Sequence, residues 1–187
     1  MRPAITLVTP TIQGRGHLLA ELAQSVAAQT VMPDAWLIGV DHDRKGPAAM
    51  RNTLAAKAGT QWISFVDDDD LLDADHFETI AAHLDGSADV VYTPPRVPGE
   101  PGLEAVLAEP FDVDVILRDR NLLAVTATIR RSTFVEAGGF PLGMRNEEDW
   151  CLWQAAVQRG ARFRKVERQT WTYRLDRAWG HRTWQEV

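Results

Sequence analysis

Three strand-length apolar runs, each ending on polar or acidic residues and separated by segments of helical spacing, constrain this chain more than any other feature. The runs are Ile5–Val8, Ala35–Val40 and Trp62–Val66. They end on Thr9-Pro10-Thr11, on Asp41-His42-Asp43 and on the consecutive aspartates Asp67 to Asp70. Between them, His17–Gln29 carries Leu18, Leu19, Leu22 and Val26 at helical spacing, and the alanine-rich Pro47–Lys57 has a proline in its first turn. A further helix is expected over Asp73–Leu84, with Asp73 as its N-cap, and a fourth strand over Val90–Tyr92. This βαβαβαβ order predicts an α/β fold: a mostly parallel sheet with helices on both faces. Parallel strands bring their polar ends to one edge, where open sheets of this kind bind ligands.

The aspartate run is the chemical centre of that edge. Two like charges about 4 Å apart repel by roughly 1 kcal/mol in water, and by several-fold more near a low-dielectric surface. Four adjacent carboxylates at the end of a buried strand therefore call for a positive partner. Hard divalent cations such as Mg²⁺ and Mn²⁺ prefer carboxylate oxygens. Asp70 has a second expected task, capping the helix that follows.

Beyond the fourth strand, Thr93–Pro110 is rich in proline and glycine and is expected to be a surface loop. Leu122–Ile129 is a strand candidate. Ser132–Ala137 is a short helix closed by Gly138-Gly139, and Glu147–Gln158 is a longer helix closed by Gly160. Ala161–Val166 and Thr170–Arg174 are expected to be short strands. No repeat or linker composition divides the chain, so 187 residues are expected to form a single domain.

Composition excludes some classes. No apolar run approaches the roughly 20 residues of a bilayer span, which argues against a membrane polymer synthase. The first residues read as a strand and turn polar too soon for a secretory signal. The single cysteine, Cys151, rules out an internal disulfide and suits a reducing compartment. A cytoplasmic location is the resulting expectation. A net charge of −6 argues against nucleic-acid binding by the whole surface. The charge is uneven, however: Cys151 to Val187 holds eight Lys/Arg against three Asp/Glu, interleaved with aromatic residues. Such a tail suits a phosphate-bearing acceptor.

The motifs resemble those of family 2 glycosyltransferases. Val8-Thr9-Pro10-Thr11, Leu22 to Thr30 and Val40-Asp41 look like that family's opening. Ala49-Met50-Arg51-Asn52-Thr53 looks like its Arg-Asn element, and Asp67-Asp68-Asp69 like its DxD motif. Gly138-Gly139-Phe140 and Glu147 to Trp153 resemble its acceptor-side Glu-Asp element. The resemblance covers roughly residues 4 to 175. It implies a GT-A fold, a Rossmann-related, mostly parallel sheet flanked by helices. Residues 1–93 would form the nucleotide-sugar-binding half and 111–187 the acceptor-binding half.

The resemblance further implies a metal-dependent, inverting, hexosyltransferase-like enzyme that uses Mn²⁺ or Mg²⁺ and a nucleoside-diphosphate sugar, a UDP-sugar first. Thr9, Pro10, Thr11, Asp41, Arg51, Asp67 and Asp68 would bind the donor, with Asp41 at the base and Arg51 near the base or diphosphate. Asp69 would be the direct metal ligand. Asp67 would join it or contact ribose, and Asp149 would be the general base. Glu148 and Trp150 would line the acceptor site. The acceptor would be a glycan, a small molecule or a modified DNA base.

This chain departs from the family pattern at two places. Asp41-His42-Asp43 stands where many members have Asp-Gly-Ser. Arg174-Leu175-Asp176 stands where members often have Arg-x-His, so either Asp176 or His181 is expected to complete the metal site. Three alternatives stand beside the leading reading. One is a phage-type glycosyltransferase of modified pyrimidines in DNA. Another is a non-catalytic nucleotide- or sugar-binding module, which an intact Asp67-x-Asp69 and Asp149 oppose. The third is a nucleotidyl transferase, which needs a glycine-rich loop that Gly14-Arg15-Gly16 resembles only faintly.

Overall fold

The computed structural model describes residues 2–144 and 146–175. The elements follow in the order β1 (Ile5–Thr11), α1 (Gly16–Ala27), β2 (Ala35–Val40), α2 (Pro47–Ala55), β3 (Trp62–Phe65), β4 (Leu71–Leu72), α3 (His76–Ala81) and β5 (Val90–Tyr92). Then come α4 (Pro101–Leu107), α5 (Val113–Arg118), β6 (Thr128–Arg130), α6 (Arg131–Ala137), α7 (Glu148–Gln158), β7 (Phe163–Lys165) and β8 (Trp171–Thr172). Six strands form one sheet in the order β2-β1-β3-β6-β5-β7. β6 runs antiparallel to both its neighbours, and the other pairings are parallel. The expected mostly parallel sheet is therefore present, with one reversed strand inside it.

Period-two alternation explains how the sheet is covered. Val8, Ile63, Phe65 and Ile129 enter one buried cluster with Leu54 of α2, Phe134 of α6, and Leu152, Trp153 and Ala156 of α7. Ile5, Leu7 and Trp62 point the other way and join Leu22 and Val26 of α1 with Phe77 and Ile80 of α3. Every residue of β1 is buried, as befits a strand covered on both faces.

Several expected elements differ. The expected loop Thr93–Pro110 contains α4, whose Pro101 sits at the helix start, so this proline marks a beginning and not a break. α5 was not expected, although Asp112 announces it by accepting from the N–H groups of Asp114 and Val115. The strand expected over Leu122–Ile129 shrinks to Thr128–Arg130. Leu122, Leu123 and Val125 are buried, but in irregular chain: burial of side chains did not require strand backbone there. Asp73 does not cap α3; its carboxylate pairs with Arg96 at the other side. Asp70 caps no helix either, because β4 follows it and pairs with β8 in a separate two-stranded sheet.

Candidate functional site

The polar strand ends do converge. Thr11 lies opposite Val40 in the β1–β2 register, and the N–H of Val66 donates to the carbonyl of Val8. The end of β1 therefore reaches past β3 and lies against the aspartate run. Thr11 Oγ1 donates to Asp68 Oδ2 across this gap.

The run leaves the strand as a turn, closed by the N–H of Asp70 donating to the Asp67 carbonyl at 3.2 Å, and its side chains alternate in exposure. Asp67 and Asp69 have side chains 29% and 24% exposed, whereas Asp68 and Asp70 are 1% exposed. The two inward carboxylates are bonded within the chain. Asp68 is held by Thr11 and by Arg15, whose Nη1 lies 3.1 Å from its Oδ1. Asp70 accepts from the N–H of Arg174 at 3.2 Å and from Thr126 Oγ1 at 3.4 Å. Burial drives the Asp68 carboxyl up to about 7, against the pull of Arg15 and Thr11. Asp70 is raised well above the usual range by burial, then by the charges of Asp69 and Asp67. Asp68, expected to bind the donor, faces inward onto Thr11 and Arg15.

Arg51 is the hub of the site. α2 buries Ala48, Arg51, Leu54 and Ala55, so the guanidinium lies on the helix face that meets the sheet. Its Nη2 donates to Asp67 Oδ1 at 2.6 Å and its Nη1 to Glu148 Oε1 at 2.7 Å. Burial opposes its charge, yet Asp67 and Glu148 more than offset this and hold the guanidinium charged. It also lies 5.3 Å from the centre of the Phe140 ring. Arg51 was expected beside the base or diphosphate; the structure commits both of its terminal nitrogens to carboxylates of this chain.

The adjacent Asn52 explains the second of the two glycines. Its Oδ1 accepts from the N–H of Phe140 at 2.9 Å and its Nδ2 donates to the Phe140 carbonyl at 2.8 Å. A Cβ on Gly139 would stand 2.7 Å from that Oδ1, and Gly139 has φ +71°. Only glycine fits both requirements. Two neighbouring α2 residues therefore fasten three segments: the aspartate run, the turn after α6, and the start of α7.

α7 begins abruptly. Glu147 precedes it in a left-handed conformation, φ 66°, which a residue with a side chain adopts at a cost of about 1–3 kcal/mol and which clusters at functional sites. Glu148 and Asp149 fill the first turn, where carboxylates favour the helix dipole. Burial pushes the Asp149 carboxyl up to about 7, with the charge of Glu148 adding to the effect. Its Oδ1 accepts from the N–H of Trp150 at 2.8 Å. A carboxylate poised near neutrality suits proton transfer. Trp150 donates its indole N–H to the Ile116 carbonyl at 2.7 Å, which anchors the ring to α5.

Two other expected donor residues are less open than their positions suggested. Thr9 is fully buried and its hydroxyl accepts from Trp36 Nε1 at 3.0 Å, so it supports β1 from within. Pro10 is buried as well. Asp41 turns its carboxylate onto its own loop, accepting from the N–H groups of Lys45 at 3.0 Å and Gly46 at 2.7 Å.

The family model described as "Glycosyl transferase family 2" matches residues 20–146. The chain belongs to glycosyl transferase family 2. No curated protein matches this family 2 chain. Among solved structures, S. aureus TarS 1-349 matches with TM-score 0.76 and 16% identity, covering 91% of this chain and 60% of that one. The same TarS segment in complex with UDP-GlcNAc matches with TM-score 0.76 and 16% identity, over 91% of this chain and 58% of that one. The mannosyltransferase PcManGT from Pyrobaculum calidifontis, in complex with GDP-Man and Mn²⁺, matches with TM-score 0.71 and 16% identity, over 92% and 57%. At such identity the likeness is one of fold, and it is the GT-A fold. The family 2 chain spans about three fifths of the TarS segment.

The residues of this family 2 chain fit a divalent cation. Asp67 and Asp69 are the half-open carboxylates of the run, and burial and then the charge of Asp67 raise the Asp69 carboxyl above its ordinary value. Among the described residues no group of three or more His, Cys, Asp or Glu is arranged to hold a metal. Two carboxylates completed by phosphate and water oxygens is an ordinary arrangement for Mg²⁺-type ions. Asp176 and His181, the expected completing ligands, lie outside the described residues.

Arg15 and Arg174 were not expected in the site. Arg15 donates to Asp69, and Arg174 donates from Nε to the Asp69 carbonyl. A lone cation inside Gly14-Arg15-Gly16 was the available sequence signal for Arg15. No helix among the described residues is long and apolar enough to cross a membrane.

Proposed function

We propose that this chain transfers a sugar from a nucleoside-diphosphate sugar to an acceptor hydroxyl, in a metal-dependent single displacement that inverts the anomeric centre. The observation that carries this reading is the Arg51 guanidinium. It joins Asp67, on the donor side, to Glu148, the residue immediately before Asp149. One buried cation thereby ties the donor-side carboxylate to the residue next to the proton-accepting one.

Residues 1–93 serve as the donor half and 111–187 as the acceptor half of one domain. Asp67 and Asp69 would hold Mn²⁺ or Mg²⁺, which when bound neutralises charge on the departing diphosphate. Thr11 keeps Asp68 turned inward, so that its neighbours face outward. Asp41 shapes the loop at the nucleotide end of the donor site. Asp149 takes the proton of the acceptor hydroxyl as its oxygen attacks the anomeric carbon. With a single base and no separate nucleophile, one displacement inverts. Glu148 supports that base, and the anchored Trp150 borders the acceptor. A UDP-sugar is the first donor to try, since the two neighbours were solved in complex with UDP-GlcNAc and with GDP-Man. A cytoplasmic setting suits the free Cys151.

The test combines binding and turnover. A thermal-shift panel of UDP- and GDP-sugars, with and without Mn²⁺, should give a metal-dependent rise for one donor. Asp149→Asn should keep that rise while donor turnover falls by about 10²–10⁴-fold. A panel without any metal-dependent rise, or an Asp149→Asn protein with undiminished turnover, sinks the proposal.

A further inference from the structure

The site contains a cation that the donor-site chemistry above leaves without a task. Arg15 lies between β1 and α1, with Nη1 3.1 Å from Asp68 Oδ1 and Nη2 donating to Asp69 Oδ2. It therefore covers Asp69, one of the two carboxylates assigned above to the metal. A divalent ion held by Asp69 would stand beside the guanidinium, and the two cations would repel.

The three arginines around the run are held very differently. Arg51 is 3% exposed and bonded to two carboxylates. Arg174 is tied to the Asp69 carbonyl and Glu21 through its side chain, and to Asp70 through its own N–H. Arg15 is 19% exposed, and its contact with Asp68 Oδ1 lacks hydrogen-bond alignment, leaving that oxygen without a hydrogen-bond partner. Its backbone is flanked by Gly14, at φ +95°, and Gly16, and a Cβ on either would meet nothing within 4 Å. The residue is thus charge-matched to the aspartates and imperfectly bonded to them, at the N-cap of α1 with open space beside the flanking glycines.

We propose that Arg15 is the resident counter-ion of Asp69, that a divalent cation displaces it, and that the displaced guanidinium then binds the donor's diphosphate. The proposal rests on the donor-site reading above. Guanidinium is the side chain best shaped to hold phosphate oxygens in pairs. Moving from Asp69 to a metal-bound diphosphate exchanges one anion for another. Arg15 therefore opposes the metal when it arrives alone and favours it when it arrives with the nucleotide.

That sign reversal gives a test independent of turnover. Mn²⁺ binding is followed by electron paramagnetic resonance of the free ion, and UDP or GDP binding at saturating Mn²⁺ by calorimetry, for the wild type, Arg15→Gln and Arg15→Lys. Arg15→Gln should bind Mn²⁺ alone roughly fivefold tighter, the worth of a modest ion pair. The same variant should bind the nucleotide–Mn²⁺ pair roughly fivefold or more weakly. Arg15→Lys, which keeps the charge and loses the fork, should stay near wild type for Mn²⁺ and fall below it for the nucleotide. Unchanged or weaker Mn²⁺ binding by Arg15→Gln overturns the competition, and unchanged nucleotide binding overturns the diphosphate contact. Both failures are recognisable because the wild type still binds Mn²⁺ and nucleotide. A wild type with no Mn²⁺-dependent nucleotide binding overturns the donor-site reading and this inference with it.

Discussion

Replacing Arg51 with methionine removes the cation between Asp67 and Glu148 while keeping a long, flexible side chain in the same apolar slot. The wild-type guanidinium is 4% exposed and its ion pairs are 2.6 and 2.7 Å long, with partners 29% and 14% exposed. Each attraction is of the order of 4 kcal/mol at an effective dielectric near 20, before the cost of desolvation. Breaking a buried pair by removing one partner typically costs about 3–5 kcal/mol, because the other charge stays buried without compensation. For a chain of this size that corresponds to a fall in melting temperature of about 6–20 °C. The deficit should also depend on pH. In the variant the Asp149 carboxyl, already raised by burial and then by Glu148, loses the opposing pull of Arg51, so the folded state holds a proton that the unfolded state releases. Stability then falls as pH rises, and the gap from wild type should be wider at pH 8 than at pH 5.5. Glu148→Gln should cost less in the Arg51→Met background than in the wild type. Thermal and urea unfolding at the two pH values checks all three statements. A fall below about 2 °C, or an equal deficit at both pH values, would refute the idea that Arg51 holds the two sides together electrostatically.

Two further outcomes follow from the same geometry. Since Asp149 must be unprotonated to accept a proton and its carboxyl sits at about 7, kcat/KM should climb with pH and level off above neutrality. Burial is the larger cause of that position and Glu148 the next, so Glu148→Gln should move the midpoint of the climb to lower pH; a pH profile from 5 to 9 in which it stays or rises contradicts the assignment. Gly139→Ala should destabilise by about 2–5 kcal/mol, through the left-handed backbone and the loss of the Asn52–Phe140 bonds. Its cost should shrink when Asn52 is already alanine, and equal costs in both backgrounds would show that the 2.7 Å approach has no bearing on stability.

The sequence by itself determined the strand–helix alternation of the first half, because apolar periodicity is local and β1, β2 and β3 are bounded by strong polar signals. It also determined which chemistry gathers at the sheet edge, since parallel strands leave their C-terminal ends no other common place. The Asp67-x-Asp69 spacing was legible in the sequence, although the turn that faces one pair outward and the other inward was not. What it could not determine were the interactions between residues far apart in the chain. β6 runs antiparallel because it pairs between β3 and β5, a choice made by packing that no pattern within Thr128–Arg130 encodes. Asp41 and Thr9 looked equally open at strand ends, yet one folds onto its own loop and the other is sealed against Trp36. Arg51 carried a partial signal, a cation on the helix face shared with Ala48 and Leu54, but its partners lie 16 and 97 residues away. Only the tertiary structure brings those carboxylates to one guanidinium, since charge pairing across such separations is fixed by how helices dock on the sheet.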